Sequence, residues 1–142
     1  MKPFHPMNLP VLRDRLIRWV SQNSGSDHPA GLAAMLGLLE ADFAALPGVT
    51  VERAACTGTA AQALRVRYRP EAPQQVLLSG HYDTVYGADH PFQRCELTDE
   101  RTLRGPGVTD MKGGIVVLHA ALESYLASTP PDTLGLEVLL TP

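Results

Sequence analysis

A strand–loop–helix–strand unit in the second half of the chain constrains the fold more than any other feature. Val76-Leu77-Leu78-Ser79-Gly80 is a continuous apolar run closed by a glycine, and Leu134 to Leu140 is a second apolar run. Between them, Gly113 to Leu126 repeats apolar residues at helical spacing. Val117, Leu118, Ala121, Leu122 and Tyr125 are predicted to point inward. Strands joined by a crossover helix run parallel with right-handed connection in nearly every sheet, so 76–80 and 136–140 are predicted to be parallel. The unbroken apolar run further predicts that 76–80 is a central strand covered on both faces.

Two helices and two strands are predicted upstream. The first helix spans about Leu9 to Val20, with Leu12, Leu16, Trp19 and Val20 on one face, Asn8 as cap and Pro10 in the first turn. A second spans Pro29 to Leu46, with Leu32, Leu36, Leu39 and Phe43 as its stripe, Asp27 as cap and Pro47-Gly48 as its stop. A short strand follows over Val49–Ala54. Leu64-Arg65-Val66-Arg67-Tyr68-Arg69 alternates strictly, which predicts one buried and one wet face at a sheet edge. Arg65, Arg67 and Arg69 then form that solvated face, in preference to a basic binding stripe. The element order predicts an α/β fold with helices packed on a mixed, largely parallel sheet. The long connection from Tyr82 to Gly107 predicts a functional loop, or one holding a small hairpin.

Composition narrows the function classes. Hydrophobic residues make up 44% and charged residues 19% of 142, which is a globular balance with enough chain for one core. Twelve basic and fifteen acidic side chains give a net charge of −3 without any block of one sign. That argues against nucleic acid or an anionic membrane as partner. Cys56 and Cys95 lack metal-type spacing and read as two free thiols. Charged residues at Arg13, Asp14, Arg15 and Arg18 break any secretory apolar run. The uncharged stretch His28–Leu39 is shorter than the ~20 residues of a membrane span. A cytoplasmic protein is expected.

The chemistry sits in Ser79-Gly-His-Tyr-Asp-Thr-Val85 and Gly105-Pro-Gly-Val-Thr-Asp-Met-Lys-Gly-Gly114. His81 and Asp83 follow the carboxyl end of an apolar strand, where open α/β sheets place their ligand sites. A spacing of two in extended chain turns both side chains the same way, so one can bind a metal while the other orients it. Asp110, among glycines that permit sharp turns, can bridge two cations with its two oxygens. The plain alternative for Asp110 is a helix N-cap. Lys112 is followed by Gly113, so a phosphate-binding loop is not matched. His5, His28 and His90 each precede proline in turn-like contexts, and His119 lies within the third helix; all four read as structural or solvent-facing.

Together the two motifs resemble those of the zinc-dependent exopeptidase and deacylase family, which includes glutamate carboxypeptidase, acetylornithine deacetylase, succinyl-diaminopimelate desuccinylase and aminoacylase. His-Tyr-Asp-Thr-Val-Tyr at 81–86 with Pro91-Phe92 looks most like the glutamate carboxypeptidase branch. The resemblance implies a metal role for His81, as ligand of one zinc, and for Asp110, bridging two. It implies that Asp83 serves catalysis from behind His81, and that the Asp110–Met111 peptide is cis. It further implies an amide hydrolase acting on a small peptide or N-acyl amino acid, in a homodimeric parent.

In that family the strand matching Leu134–Pro142 runs into paired acidic residues that supply the general base and a further ligand. The expectation is therefore that 1–142 is the amino-terminal part of the catalytic domain, without those residues or a dimerisation domain, and inactive alone. N-acyl amino acid deacylation, or a non-catalytic interaction module, are the alternative expectations.

Overall fold

The computed structural model describes residues 8–128 and 131–142. His5, expected in a turn, lies outside them. Helix α1 (Leu9–Ser21) and helix α2 (Pro29–Ala44) precede strands β1 (Val49–Ala55), β2 (Gln62–Tyr68) and β3 (Gln74–His81). A hairpin, β4 (Glu96–Asp99) and β5 (Thr102–Arg104), then leads to helix α3 (Gly113–Ala127) and strand β6 (Leu134–Thr141). The hairpin falls inside the long 82–107 connection, as its length predicts.

The four longer strands form one mixed sheet in the order β1-β2-β6-β3, while β4 pairs only with β5. Val76 to Gly80 pair with Leu136 to Leu140 in parallel, as the crossover requires. The pairings β1·β2 and β2·β6 are antiparallel, so the parallel part is smaller than expected and confined to β3 and β6. Insertion of β6 between β2 and β3 also exchanges two expected positions. The alternating strand β2 is interior, and the apolar strand β3 is an edge with Val76 40% and Leu77 60% exposed. The alternation of β2 instead reports coverage of one face by helices: Leu64 and Val66 are buried beneath them. On the other face Arg65 grips Glu137 with two hydrogen bonds of 2.8 and 3.0 Å, and Arg67 reaches Glu52.

The core lies between the covered face and the three helices. Trp19, Leu36, Leu39, Phe43, Ile115 and Leu140 are among its buried members. The stripe expected on α2 is buried throughout. Its cap position, however, is His28 rather than Asp27, and neither His28 nor Asn8 makes a side-chain capping bond. On α3 the buried face is Ile115, Val116, His119, Ala120 and Leu122, while Val117 is 61% exposed and Ala121 is exposed. The helix is apolar nearly all round, so its periodicity could not select a face; packing against α1 and β3 selects it. No helix among the described residues is long and apolar enough to cross a membrane. Both cysteines are free thiols.

His119 is a structural residue with a fixed tautomer. Arg15 donates to its Nδ1 at 2.9 Å, so Nε2 carries the proton and donates to the Asp42 carbonyl at 3.1 Å. Burial, together with the Arg15 charge, pulls the imidazole pKa below its usual range, although the Asp42 bond opposes this. The folded state therefore refuses a proton that the unfolded chain accepts below about pH 6.5. The His119 contribution is present above that pH and is lost as pH falls through the unfolded value. Urea unfolding at pH 7.5 and 5.5 should show a steeper acid loss for the parent than for His119→Gln. Equal losses would refute the buried neutral tautomer.

Candidate metal centre

Strand β3 ends at His81, and alternation beyond it separates three side chains by role. Tyr82 turns inward, is fully buried, and donates its hydroxyl to the Gln62 carbonyl at 2.7 Å. Burial pushes its phenol up to about 12, so it stays neutral and acts as an anchor. His81 and Asp83 turn outward, 2.8 Å apart between Nδ1 and Oδ1. The backbone of Tyr82 continues the sheet by donating to the Thr141 carbonyl at 2.9 Å.

Asp110 arrives from the other side, in a turn over Val108–Lys112. Gly107 begins that turn at φ 76°, where a side chain would be strained and would press on Thr84. The Lys112 amide closes it by donating to the Gly107 carbonyl at 2.8 Å. Asp110 and Met111 leave helical conformation, and the peptide between them is cis, as the family resemblance implies. The Met111 thioether lies over Gly80, where an added Cβ would come within 2.9 Å of Met111 Cε, and it accepts the His81 amide at 3.4 Å.

The result is a row of three groups. The His81 imidazole bonds Asp83 through Nδ1 and Asp110 Oδ1 through Nε2, the latter at 2.9 Å. Burial disfavours charging the ring, but the bonds to Asp110 and Asp83 outweigh it and raise its pKa. Asp110 is 86% exposed at its side chain and faces a cleft of about 260 Å³ lined also by Thr84, Tyr86 and Thr109. The structure thus brings together all three residues singled out by the sequence.

The donor chemistry suits zinc. A tetrahedral ion with bonds near 2.0–2.1 Å separates neighbouring donors by about 3.3 Å, so Nε2 and Oδ1 need to open only a few tenths of an ångström. With Nδ1–H held by a carboxylate, Nε2 is the nitrogen that would be free to ligate. Asp83 stands behind the ring, which leaves two donors facing the cleft. Among the described residues no group of three or more His, Cys, Asp and Glu side chains is arranged to hold a metal.

Sequence reasoning missed two supports. Lys112 is fully buried and donates Nζ to the Trp19 carbonyl at 2.9 Å and the Gln22 carbonyl at 2.8 Å, at the carboxyl end of α1. Its setting between Met111 and Gly113-Gly114-Ile115, an apolar and glycine run that leaves a long side chain little solvent to reach, was the available signal. Ser26 donates a short hydrogen bond to Asp83 Oδ2. No local pattern marks a contact across 57 residues.

Residues 77–142 match the model of Peptidase family M20/M25/M40. A succinyl-diaminopimelate desuccinylase of Methylobacterium nodulans is 39% identical over 61 residues, which span 40% of this chain and 15% of that protein. Among solved structures, human carnosine dipeptidase 1 aligns over 93% of this chain and 31% of its own, at 18% identity and a TM-score of 0.75. The di-peptidase Dug1p of Saccharomyces cerevisiae aligns over 94% and 32%, at 16% identity and TM-score 0.74. The M20 family metallo-carboxypeptidase Sso-CP2 of Sulfolobus solfataricus aligns over 92% and 30%, at 17% identity and TM-score 0.74. These structures share the fold, and the chain spans about a third of each.

Proposed function

We infer that this chain, similar to the M20/M25/M40 peptidases over residues 77–142, is the amino-terminal part of the catalytic domain of a zinc-dependent amide hydrolase. The observation that carries the reading is the His81 imidazole held between Asp83 and Asp110 at the mouth of a cleft. Its substrate is a small peptide or an N-acyl amino acid, with carboxypeptidase-like cleavage favoured by the 81–86 motif. The desuccinylase relative favours a second reading, removal of an acyl group from an amino acid. The net charge of −3 without a charged block supports a small-molecule substrate over nucleic acid. A cytoplasmic enzyme, dimeric through a domain beyond these residues, completes the reading.

Zinc would be held by the His81 imidazole and by the Asp110 carboxylate, which two ions would share. Zinc, when bound, supplies Lewis acidity that polarises a carbonyl and acidifies water. The chain's own contribution is positional. Asp83 keeps the proton on Nδ1, Met111 packs the backbone of His81 against the Asp110 turn, and Tyr82 locks the register that sends both side chains outward. Asp83 has one oxygen on His81 and the other on Ser26, so it orients the ring and stays out of proton transfer to substrate.

The test is an assay of the complete gene product with zinc against dipeptides, C-terminal glutamyl amides, and N-succinyl and N-acetyl amino acids. Chelator-sensitive hydrolysis of at least one class is expected, with Asp110→Asn lowering kcat by ~10³-fold or more. No hydrolysis of any of them by a folded, zinc-supplied protein would sink the reading.

A further inference from the structure

The segment between α1 and α2 runs beside the site and outside residues 77–142. Its central Gly25 bridges Thr84 in parallel register. The Thr84 amide donates to the Ser24 carbonyl and the Ser26 amide donates to the Thr84 carbonyl, both at 2.9 Å. Buried Ser24 donates its hydroxyl to the Tyr82 carbonyl at 2.7 Å. Residues 24–26 therefore form a short strand laid against 82–84. Closeness is enforced at Gly25, where an added Cβ would sit 2.6 Å from the Tyr86 carbonyl oxygen. Side chains alternate along such a strand, so Ser24 and Ser26 fall on the same side. The first anchors the strand and the second reaches the site.

We propose that Ser26 is a positioning residue of the metal centre: its hydroxyl, pinned by the 24–26 strand, holds the Asp83 carboxylate in the rotamer that fixes the His81 ring. The geometry behind this is a continuous row. Ser26 Oγ donates to Asp83 Oδ2, Asp83 Oδ1 accepts from His81 Nδ1 at 2.8 Å, and His81 Nε2 stands 2.9 Å from Asp110. An aspartate has two side-chain torsions, and a bond on one oxygen alone leaves the other free to swing. With both oxygens engaged from opposite sides the carboxylate has one orientation, and the imidazole takes its plane from it. The serine itself is exposed, but it does not wander, because its amide is bonded to Thr84. The same α1–α2 segment is tied to the Asp110 turn: Lys112 Nζ grips the carbonyl of Gln22, four residues before Ser26. Both halves of the site thus take their position from one segment that carries no ligand of its own.

The inference rests on the metal-site reading, yet one of its readouts needs neither zinc nor substrate, so the two can fail separately. In the metal-free 142-residue chain, NMR follows exchange of the His81 Nδ1 proton with water. Ser26→Ala is expected to speed that exchange about tenfold and to weaken zinc binding, titrated on the same ring resonances, by about tenfold, in the range seen when a partner of a metal-bound histidine is lost. The melting temperature should stay unchanged, since the backbone bonds of residues 24–26 remain. Ser26→Thr keeps the hydroxyl and should restore both readouts. Unchanged exchange in Ser26→Ala overturns the proposal, whether or not the chain holds zinc. So does failure of Ser26→Thr to restore, or a fall in melting temperature common to both variants, which would assign the effect to packing.

Discussion

Replacement of Lys112 by alanine should lower the unfolding free energy by about 3–5 kcal/mol, a large share of the ~5–15 kcal/mol typical of a domain. The side chain is 0% exposed, and its ammonium is the donor for two carbonyls at the end of α1. Burial pulls its pKa down to about 8, which still leaves it mainly charged at neutral pH. A cation at a helix carboxyl terminus also complements the helix dipole. Alanine would strand both carbonyls, at about 1–3 kcal/mol each, and open a cavity under the end of α1. Lys112→Met fills most of that space but supplies no donor, so it should lose about 2 kcal/mol. Urea denaturation of the two variants separates bonding from packing. Replacing a buried charge by an apolar side chain is sometimes neutral or favourable. A Lys112→Met chain as stable as the parent would therefore show that the ammonium contributes no net stability, and that the Asp110 turn is held by other means.

What could be read from the sequence follows the range of the forces involved. His81, Asp83 and Asp110 were legible because strand-end placement, alternation and glycine-flanked turns are local, and the crossover rule brings the two segments to one end of the sheet. The position of β3 was not legible. Its apolar run Val76–Leu78 has the composition of a buried strand, but burial depends on what lies beside it, and among the described residues nothing flanks it opposite β6. The alternation of β2 recorded helix coverage of one face, which edge and interior strands share. The face of α3 was undetermined because apolar residues surround the helix, so long-range packing decided it. Ser26 and Lys112 escaped for the same reason: each acts on a partner 57 or about 90 residues away.

The isolated 142-residue polypeptide, supplied with zinc, should hydrolyse no dipeptide or N-acyl amino acid above the buffer rate. Around the cleft stand one imidazole and two carboxylates, from His81, Asp83 and Asp110. Asp83 is committed on both oxygens, to the histidine and to Ser26, so only two donors remain for metal. Protein zinc sites use three or four protein donors, and an ion held by two exchanges readily with buffer. Nor does a free carboxylate or imidazole remain among the cleft residues to take the proton from attacking water, a function worth ~10²–10⁴-fold where it is present. Asp110 cannot fill that place while it serves as a ligand. The check is a zinc-supplemented assay of the purified polypeptide against an N-acyl-glutamate and a dipeptide, with His81→Ala as control. Turnover that is lost on chelation and in His81→Ala would mean that this donor set suffices, and that either Asp110 or a solvent base completes the chemistry. Zero turnover in the isolated polypeptide, with hydrolysis by the complete gene product, is the pattern expected if the missing donors and base come from chain outside these residues.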